Sequence, residues 1–284
     1  MAQFTNQAQL SYGNVVTSSN VAVGEILEAL SVSKTALLDS YTIGDTVTYI
    51  ISLVNASSSP LSSLIVSDNL GAYPFGTTAL VPLTYVDGSV KYFVDGVLQA
   101  APSVNVGTSL VFSPLSVPAN GNGIIVYEAR VNEFAPAGVD SSITNSATVS
   151  GSGITPITAS ETINAGSSPR LSITKAISPV PVSPNGVVSY TFTIENTGNL
   201  PLTADDAAVI TDTFDPLLSN ISVTFNGVTW NEGENYVYNE QTGEFSTIAG
   251  QVTVDAATYN QNPTAGEWTI LPATITLVIT GNIG

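Results

Sequence analysis

Cysteine and histidine are both absent from the 284 residues. Without thiol or imidazole the chain has no disulfide, no thiolate or imidazole metal site, and no side chain that ordinarily exchanges protons near neutral pH. Most enzyme classes fall away, and cysteine usage reports no redox compartment. Basic residues are nearly as scarce, 5 against 22 acidic ones for a net charge of -17. No basic patch exists to neutralise a phosphate backbone, so nucleic acid is excluded as a partner. Charged residues make up only 10% of the chain, so Ser, Thr, Asn and Gln must cover the surface, a finish suited to an exposed coat. The first residues show no basic and then apolar leader pattern, and no run is long enough to cross a bilayer. Either a leader was removed ahead of residue 1 or export does not use one, the single methionine at position 1 favouring the second, and no membrane insertion is expected. No stretch sustains helical periodicity.

What is present is strand chemistry. Hydrophobic residues reach 43%, enough for a core in each of two domains, and 23 Gly and 16 Pro punctuate runs of Val, Ile, Leu, Tyr and Phe set among Ser, Thr and Asn. Apolar residues alternate from Val47 to Val54 and from Val188 to Ile194, placing one face inward at period two. Turn signals stand at Asp87-Gly88, Asp95-Gly96, Asn120-Gly121, Asn185-Gly186 and Asn226-Gly227. The fold class expected is all-β, two tandem immunoglobulin-like β-sandwiches.

The chain also repeats itself. Leu30-Ser-Val-Ser-Lys34 aligns with Leu171-Ser-Ile-Thr-Lys175, and Gly44 to Asn55 with Gly186 to Asn196. Val66-Ser-Asp68 then matches Ile210-Thr-Asp212. A shorter segment recurs out of place: Phe4-Thr-Asn6-Gln-Ala8-Gln-Leu10-Ser copies Ile143-Thr-Asn145-Ser-Ala147-Thr-Val149-Ser. The inner copy closes the first repeat, whereas the outer copy has no repeat before it and the second repeat has no closing segment before Gly284. The expected organisation is a donor segment at residues 1–28, a first sandwich at 29–164, a linker at 165–170, and a second sandwich at 171–284 that is incomplete alone. A neighbour's N-terminal segment would fill the gap by donor-strand complementation, with Phe4, Asn6, Ala8 and Leu10 setting the register. Such a contact is head-to-tail and propagates into a homopolymer unless it closes into a ring. The alternative is that each segment serves the body following it, leaving a closed monomer.

These elements, the first-strand Lys, Gly-Asp-Thr-Val-Thr-Tyr, Asn before Pro-Leu, Ser/Thr-Asp-x-Leu/Phe and Thr-Asn-x-Ala-x-Val, resemble the bacterial conserved-repeat family called domain of unknown function eleven, over nearly the whole chain. The resemblance implies a strand closing the preceding repeat and a place in cell-surface proteins. Clostridial spore-appendage subunits of similar size carry such repeats, and a mother cell can deposit coat material without secreting it. The implied location is extracellular, on a bacterial cell or spore surface, with host-surface or spore-coat contact. The family is also similar to fimbrial domains in which a first-strand Lys and a last-strand Asn form an isopeptide bond assisted by a carboxyl group. Carried over, this gives Lys34, Asp68 and Asn145 within one chain, and Lys175 and Asp212 with Asn6 of a neighbour. Burial favours the neutral, nucleophilic amine and the protonated, polarising acid. The competing reading is a snorkelling Lys at a strand end and an Asn or Asp fixing a turn.

Other features suggest less. Leu271-Pro272-Ala273-Thr274 resembles a sortase signal but continues with Ile275, and is read as the start of the last strand. Asp205, Asp206, Asp212 and Asp215 lack the spacing of a calcium loop and read as a solvated acidic turn. Trp230 and Trp268 with Tyr236 and Tyr238 suit either a sugar-stacking platform or core packing. No cofactor, metal or external substrate is expected. The functional expectation is a structural filament subunit, with a monomeric glycan- or protein-binding surface adhesin as the alternative.

Overall fold

The computed structural model describes residues 2–26 and 30–283; Met1, Leu27, Glu28, Ala29 and Gly284 lie outside the described residues, as does the expected division between 28 and 29. The protein is all-β: among the described residues, regular structure is strand apart from one 3-10 turn at Ala204–Asp206. Two compact units form, Met1–Asn132 with Ile143–Ile163, and Glu133–Ser142 with Asn164–Gly284.

In unit 1 one sheet runs in the order Val97–Leu98, Lys91–Val94, Asn122–Val131, Thr46–Asn55, Leu30–Ala36. The other runs Ser103–Val106, Leu110–Val117, Leu61–Asp68, Ser142–Ser150, Ile157–Ala165, Ser40–Tyr41. Alternation fills the space between them. Val47, Tyr49, Ile51 and Leu53 from the first sheet and Leu64, Val66, Phe112, Ala147 and Val149 from the second are all 0% exposed. Each large side chain so buried contributes about 1.5–3 kcal/mol.

Unit 2 repeats the first sheet as Leu171–Ser178, Val187–Asn196, Ala273–Ile283, Leu218–Phe225, Val228–Trp230. Its second sheet is only Thr211–Thr213, Glu244–Thr247, Tyr236–Tyr238, with a separate ribbon of Thr258–Gln261 and Trp268–Leu271. Phe192, Ile194, Phe214, Phe245, Leu277 and Ile279 make its core. Pro272 separates that ribbon from the final strand, which begins at Ala273.

The matched asparagines before each Pro-Leu are buried clamps. Asn55 donates to Ser59 O and Pro118 O and accepts from Ser57 N, and Asn196 donates to Leu200 O and Asp255 O and accepts from Arg170 N and Gly198 N. The turn signals differ in kind. Asp95-Gly96 and Asn226-Gly227 have positive φ at both residues and join two-residue hairpins, because that left-handed pair matches strand twist. At Asn120 and Asn185 only the Asn is left-handed, since those residues turn longer loops.

The N-terminal segment is a hairpin by itself. Ala2–Asn6 pairs with Ala22–Ile26 and Gln9–Tyr12 with Val15–Ser18, and among the described residues it pairs with no other strand. Residues 4–23 are exposed throughout.

Candidate cross-link and strand-acceptor sites

Lys34 occupies an inward position of its strand, opposite Ile51, so its ammonium is carried into the core. A buried charge there needs a partner. Asp68, at the end of Leu61–Asp68 on the facing sheet, supplies it: Lys34 Nζ donates to Asp68 Oδ2, with both side chains 0% exposed. The ring of Tyr49 lies 4.9 Å from the amine. Burial pulls the Lys34 pKa down from 10.5 to about 8, against the opposing charges of Asp68 and Glu161. This is neither a snorkelling lysine nor a strand-end residue, although Asp68 Oδ1 does also fix a turn by accepting from Leu70 N at 2.9 Å.

Asn145 reaches the same place from the closing strand Ser142–Ser150, which pairs with Leu61–Asp68 so that Ala147 lies opposite Asp68. Its Oδ1 accepts from Gly71 N at 3.2 Å, and its Nδ2 donates to Tyr127 Oη at 3.0 Å. Tyr127 Oη also receives Lys34 Nζ at 3.2 Å and donates to Asp68 Oδ2 at 2.6 Å. The three residues expected together are thus together, around a fourth, Tyr127, that sequence reasoning missed. Tyr127 stacks on Tyr49 at 5.6 Å, and burial first, then the Asp68 charge, holds its pKa well above the usual phenol range.

Unit 2 holds the same pair in the open. Lys175 Nζ donates to Asp212 Oδ2, with side chains 39% and 18% exposed. Tyr190, Phe192 and Phe214 surround the amine at 4.6, 5.4 and 5.3 Å. Where Tyr127 lies opposite Tyr49 in unit 1, Ile279 lies opposite Tyr190 here. The exposure has a specific cause. Thr211–Thr213 pairs with Glu244–Thr247 on one side, and no described strand covers its other edge, where unit 1 carries Ser142–Ser150. The opening strand Leu171–Ser178 is exposed at every residue, Leu171 at 45% where its counterpart Leu30 is at 2%. A cleft of about 650 Å³ lies on the short sheet, lined by Thr211, Asp212, Val237 and Phe245 among others.

The residues expected as donors show the converse. Ile143, Asn145, Ala147 and Val149 are 2%, 0%, 0% and 0% exposed, while their copies Phe4, Asn6, Ala8 and Leu10 lie on the exposed hairpin, Phe4 at 54% and Leu10 at 63%. Phe4 pairs with Gly24, and a Cβ on Gly24 would come within 2.3 Å of the Phe4 ring. In unit 1 the facing strand instead brings the isoleucine Ile163 beside the closing strand's core residues, 0% exposed.

The remaining candidates separate. Asp205 and Asp206 sit in the 3-10 turn, where Asp206 accepts from Thr203 N and Oγ1. Tyr236 is buried, the Tyr238 hydroxyl is engaged with Leu218 N and O, and Trp230 stacks on Phe225 at 4.6 Å. Trp268 belongs to the separate ribbon, so the four aromatics form no common platform.

No family model matches the sequence, and no curated protein matches it either. Among solved structures, the chain is similar to the collagen-binding subdomain of the Enterococcus faecalis surface protein ACE, 12% identical over 50% of this chain and 99% of that one, TM-score 0.31. It is similar to the pilus backbone RrgB of Streptococcus pneumoniae, 15% identical over 86% of this chain and 55% of that one, TM-score 0.32. It is also similar to the major pilin subunit BcpA of Bacillus cereus, 11% identical over 96% and 73%, TM-score 0.35. At these identities the likeness is one of strand arrangement alone.

Proposed function

We propose that the protein is the structural subunit of a bacterial surface filament, polymerising head-to-tail as the N-terminal hairpin of one copy completes unit 2 of the next. Residues 1–28 act as donor, 29–164 and 171–284 as sandwiches, and 165–170 as the linker. One observation carries the reading. A side-chain pattern fully buried at Ile143–Val149 is exposed at Phe4–Leu10, while the edge matching its binding site is uncovered at Thr211–Thr213. A free two-stranded hairpin is marginal in water, and an open edge invites strand addition, so each half stabilises the other. Burying Phe4 and Leu10 contributes about 3–6 kcal/mol before ordering costs. Copying the register of unit 1 sets Ala8 opposite Asp212 and Gln9 opposite Thr211 of the neighbour, and brings Asn6 to Lys175.

In the same reading Lys34 and Asn145 form an isopeptide bond within each subunit, and Lys175 and Asn6 form one between subunits, each releasing ammonia. Placement on a cell or spore surface, and kinship to the conserved repeats of spore appendages, belong to the proposal and rest on the motif resemblance.

Because the chain lacks cysteine, a pair placed at Gln9→Cys and Thr211→Cys reports register cleanly. Oxidation is expected to give a ladder of covalent multimers on a denaturing gel, and pairing Gln9→Cys with Val209→Cys is not. Multimers from neither pair, with a monomer by sedimentation and by negative-stain microscopy, would refute polymerisation. Deleting residues 1–24 is expected to leave monomers with unit 1 folded.

A further inference from the structure

We infer that Tyr127 is a catalytic residue of the unit 1 cross-link, relaying the proton that lets ammonia leave; this rests on the cross-link reading above. The contacts leave little choice of route. Asp68 meets Lys34, Leu70 N and Tyr127, while the Asn145 amide meets Gly71 N and Tyr127, with the Tyr49 hydroxyl beside it and unlinked to Asp68 by any hydrogen bond among the described residues. The acid and the departing nitrogen therefore connect through one oxygen, 2.6 Å from Asp68 Oδ2 and 3.0 Å from Asn145 Nδ2.

The step balances as follows. Lys34 gives a proton to Asp68, and the neutral Nζ attacks Asn145 Cγ while Gly71 N–H, already on Oδ1, holds the oxygen as it gains negative charge. At the flat amide, Nδ2 has no free electron pair and can only donate to Tyr127. Once Cγ is tetrahedral, Nδ2 has a lone pair and the same contact reverses. Asp68 passes its proton to Tyr127 Oη as Tyr127 passes its own to Nδ2, the Cγ–Nδ2 bond breaks, and ammonia departs. Nζ returns a second proton to Asp68 and the amide is complete. Tyr127 starts and ends as a neutral phenol, as its burial requires.

Unit 2 provides the comparison. Ile279 stands at the Tyr127 position, so that position offers no hydroxyl at the joint between subunits; the phenol beside Lys175 is Tyr190, the counterpart of Tyr49. The bond inside the subunit is thereby set to form faster than the bond between subunits.

Intact-mass time courses after cell-free synthesis of the full chain, with peptide mapping of the Lys34–Asn145 link, test this. Tyr127→Phe keeps the ring and removes the hydroxyl, and is expected to slow ammonia loss by about a hundredfold or more, the usual contribution of positioned acid–base catalysis. Tyr92→Phe, which removes a hydroxyl bonded to Ser116 O, is expected to leave the rate nearly unchanged. Linking of Tyr127→Phe at the wild-type rate overturns the relay and leaves the cross-link standing; a wild-type chain that never loses ammonia overturns both. If Tyr127→Phe does not fold, the wild-type rate in mixtures of H2O and D2O decides. A bowed dependence marks two protons moving together, and a straight line, marking one, refutes the relay.

Discussion

Asn145→Ala removes the carbonyl that Lys34 would join, leaving a free amine sealed against Asp68, and its stability should then rise with pH. Burial lowers the folded-state pKa of Lys34 to about 8 from an unfolded value of 10.5. Below the lower value the ammonium is present in both states, and the folded state bears the full cost of burying it. As pH rises from about 8 toward 10.5, the folded chain sheds its proton while the unfolded chain keeps it, so the cost is progressively relieved and stability increases. At about 1.4 kcal/mol per tenfold step the complete gap corresponds to roughly 3 kcal/mol, of which about 2–3 kcal/mol is recovered between about pH 7 and about pH 10. Tyrosines of the unfolded chain begin to ionise toward that upper limit, where the raised pKa of buried Tyr49 and Tyr127 works in the opposite direction, and the Lys34→Met background, which keeps the same tyrosines, subtracts this. For a unit of this size the gain is a rise of roughly 5–10 °C in Tm. Differential scanning calorimetry of the Asn145→Ala chain checks it, with Lys34→Met as a second background. The reasoning is refuted if Asn145→Ala shows no rise, or if Lys34→Met in the Asn145→Ala chain rises equally.

The remaining expectations concern other parts of the molecule. In the wild-type chain Lys34 passes its proton to Asp68 and not to solvent, so the rate of Lys34–Asn145 linking should be flat below about pH 8 and fall about tenfold for each pH unit above it, as the proton the relay needs is lost, followed by intact mass. Phe4→Asp should abolish filaments by microscopy, since it forfeits about 1.5–3 kcal/mol of burial and adds an unpaired carboxylate, while leaving the melting of unit 1 unchanged. Asp68→Ala leaves a buried lysine without its counter-charge and should cost unit 1 about 3–5 kcal/mol in denaturant titration.

The alternation at Val47–Val54 and Val188–Ile194 was enough to read the central strands, because a strand with one buried face must show period two. Lys34, Asp68 and Asn145 were legible for another reason: two of them recur in the second repeat at Lys175 and Asp212, and the third in the displaced copy at Asn6. Tyr127 escaped because that comparison could only find what recurs, and Ile279 holds its place in unit 2. Within Ile124-Ile-Val-Tyr-Glu-Ala129, moreover, it reads as one more core residue. Gly71 contributes its backbone N–H, for which sequence carries no mark beyond a turn, here at φ +72°. Nor could the exposure of Leu171–Ser178 be read, since its pattern matches that of Leu30–Ala36. Whether such a face is covered depends on a distant strand, not on its own residues.

On the outward side of the closing hairpin, Thr144, Ser146 and Thr148 meet Thr162, Ser160 and Thr158, each oxygen pair 2.8 Å apart. These six hydroxyls carry no charge and do not ionise between acid and mildly alkaline pH, so salt cannot screen them and acid cannot switch them off. A strip of this kind holds equally in salt and in acid, which is a different kind of toughness from strength under any single condition.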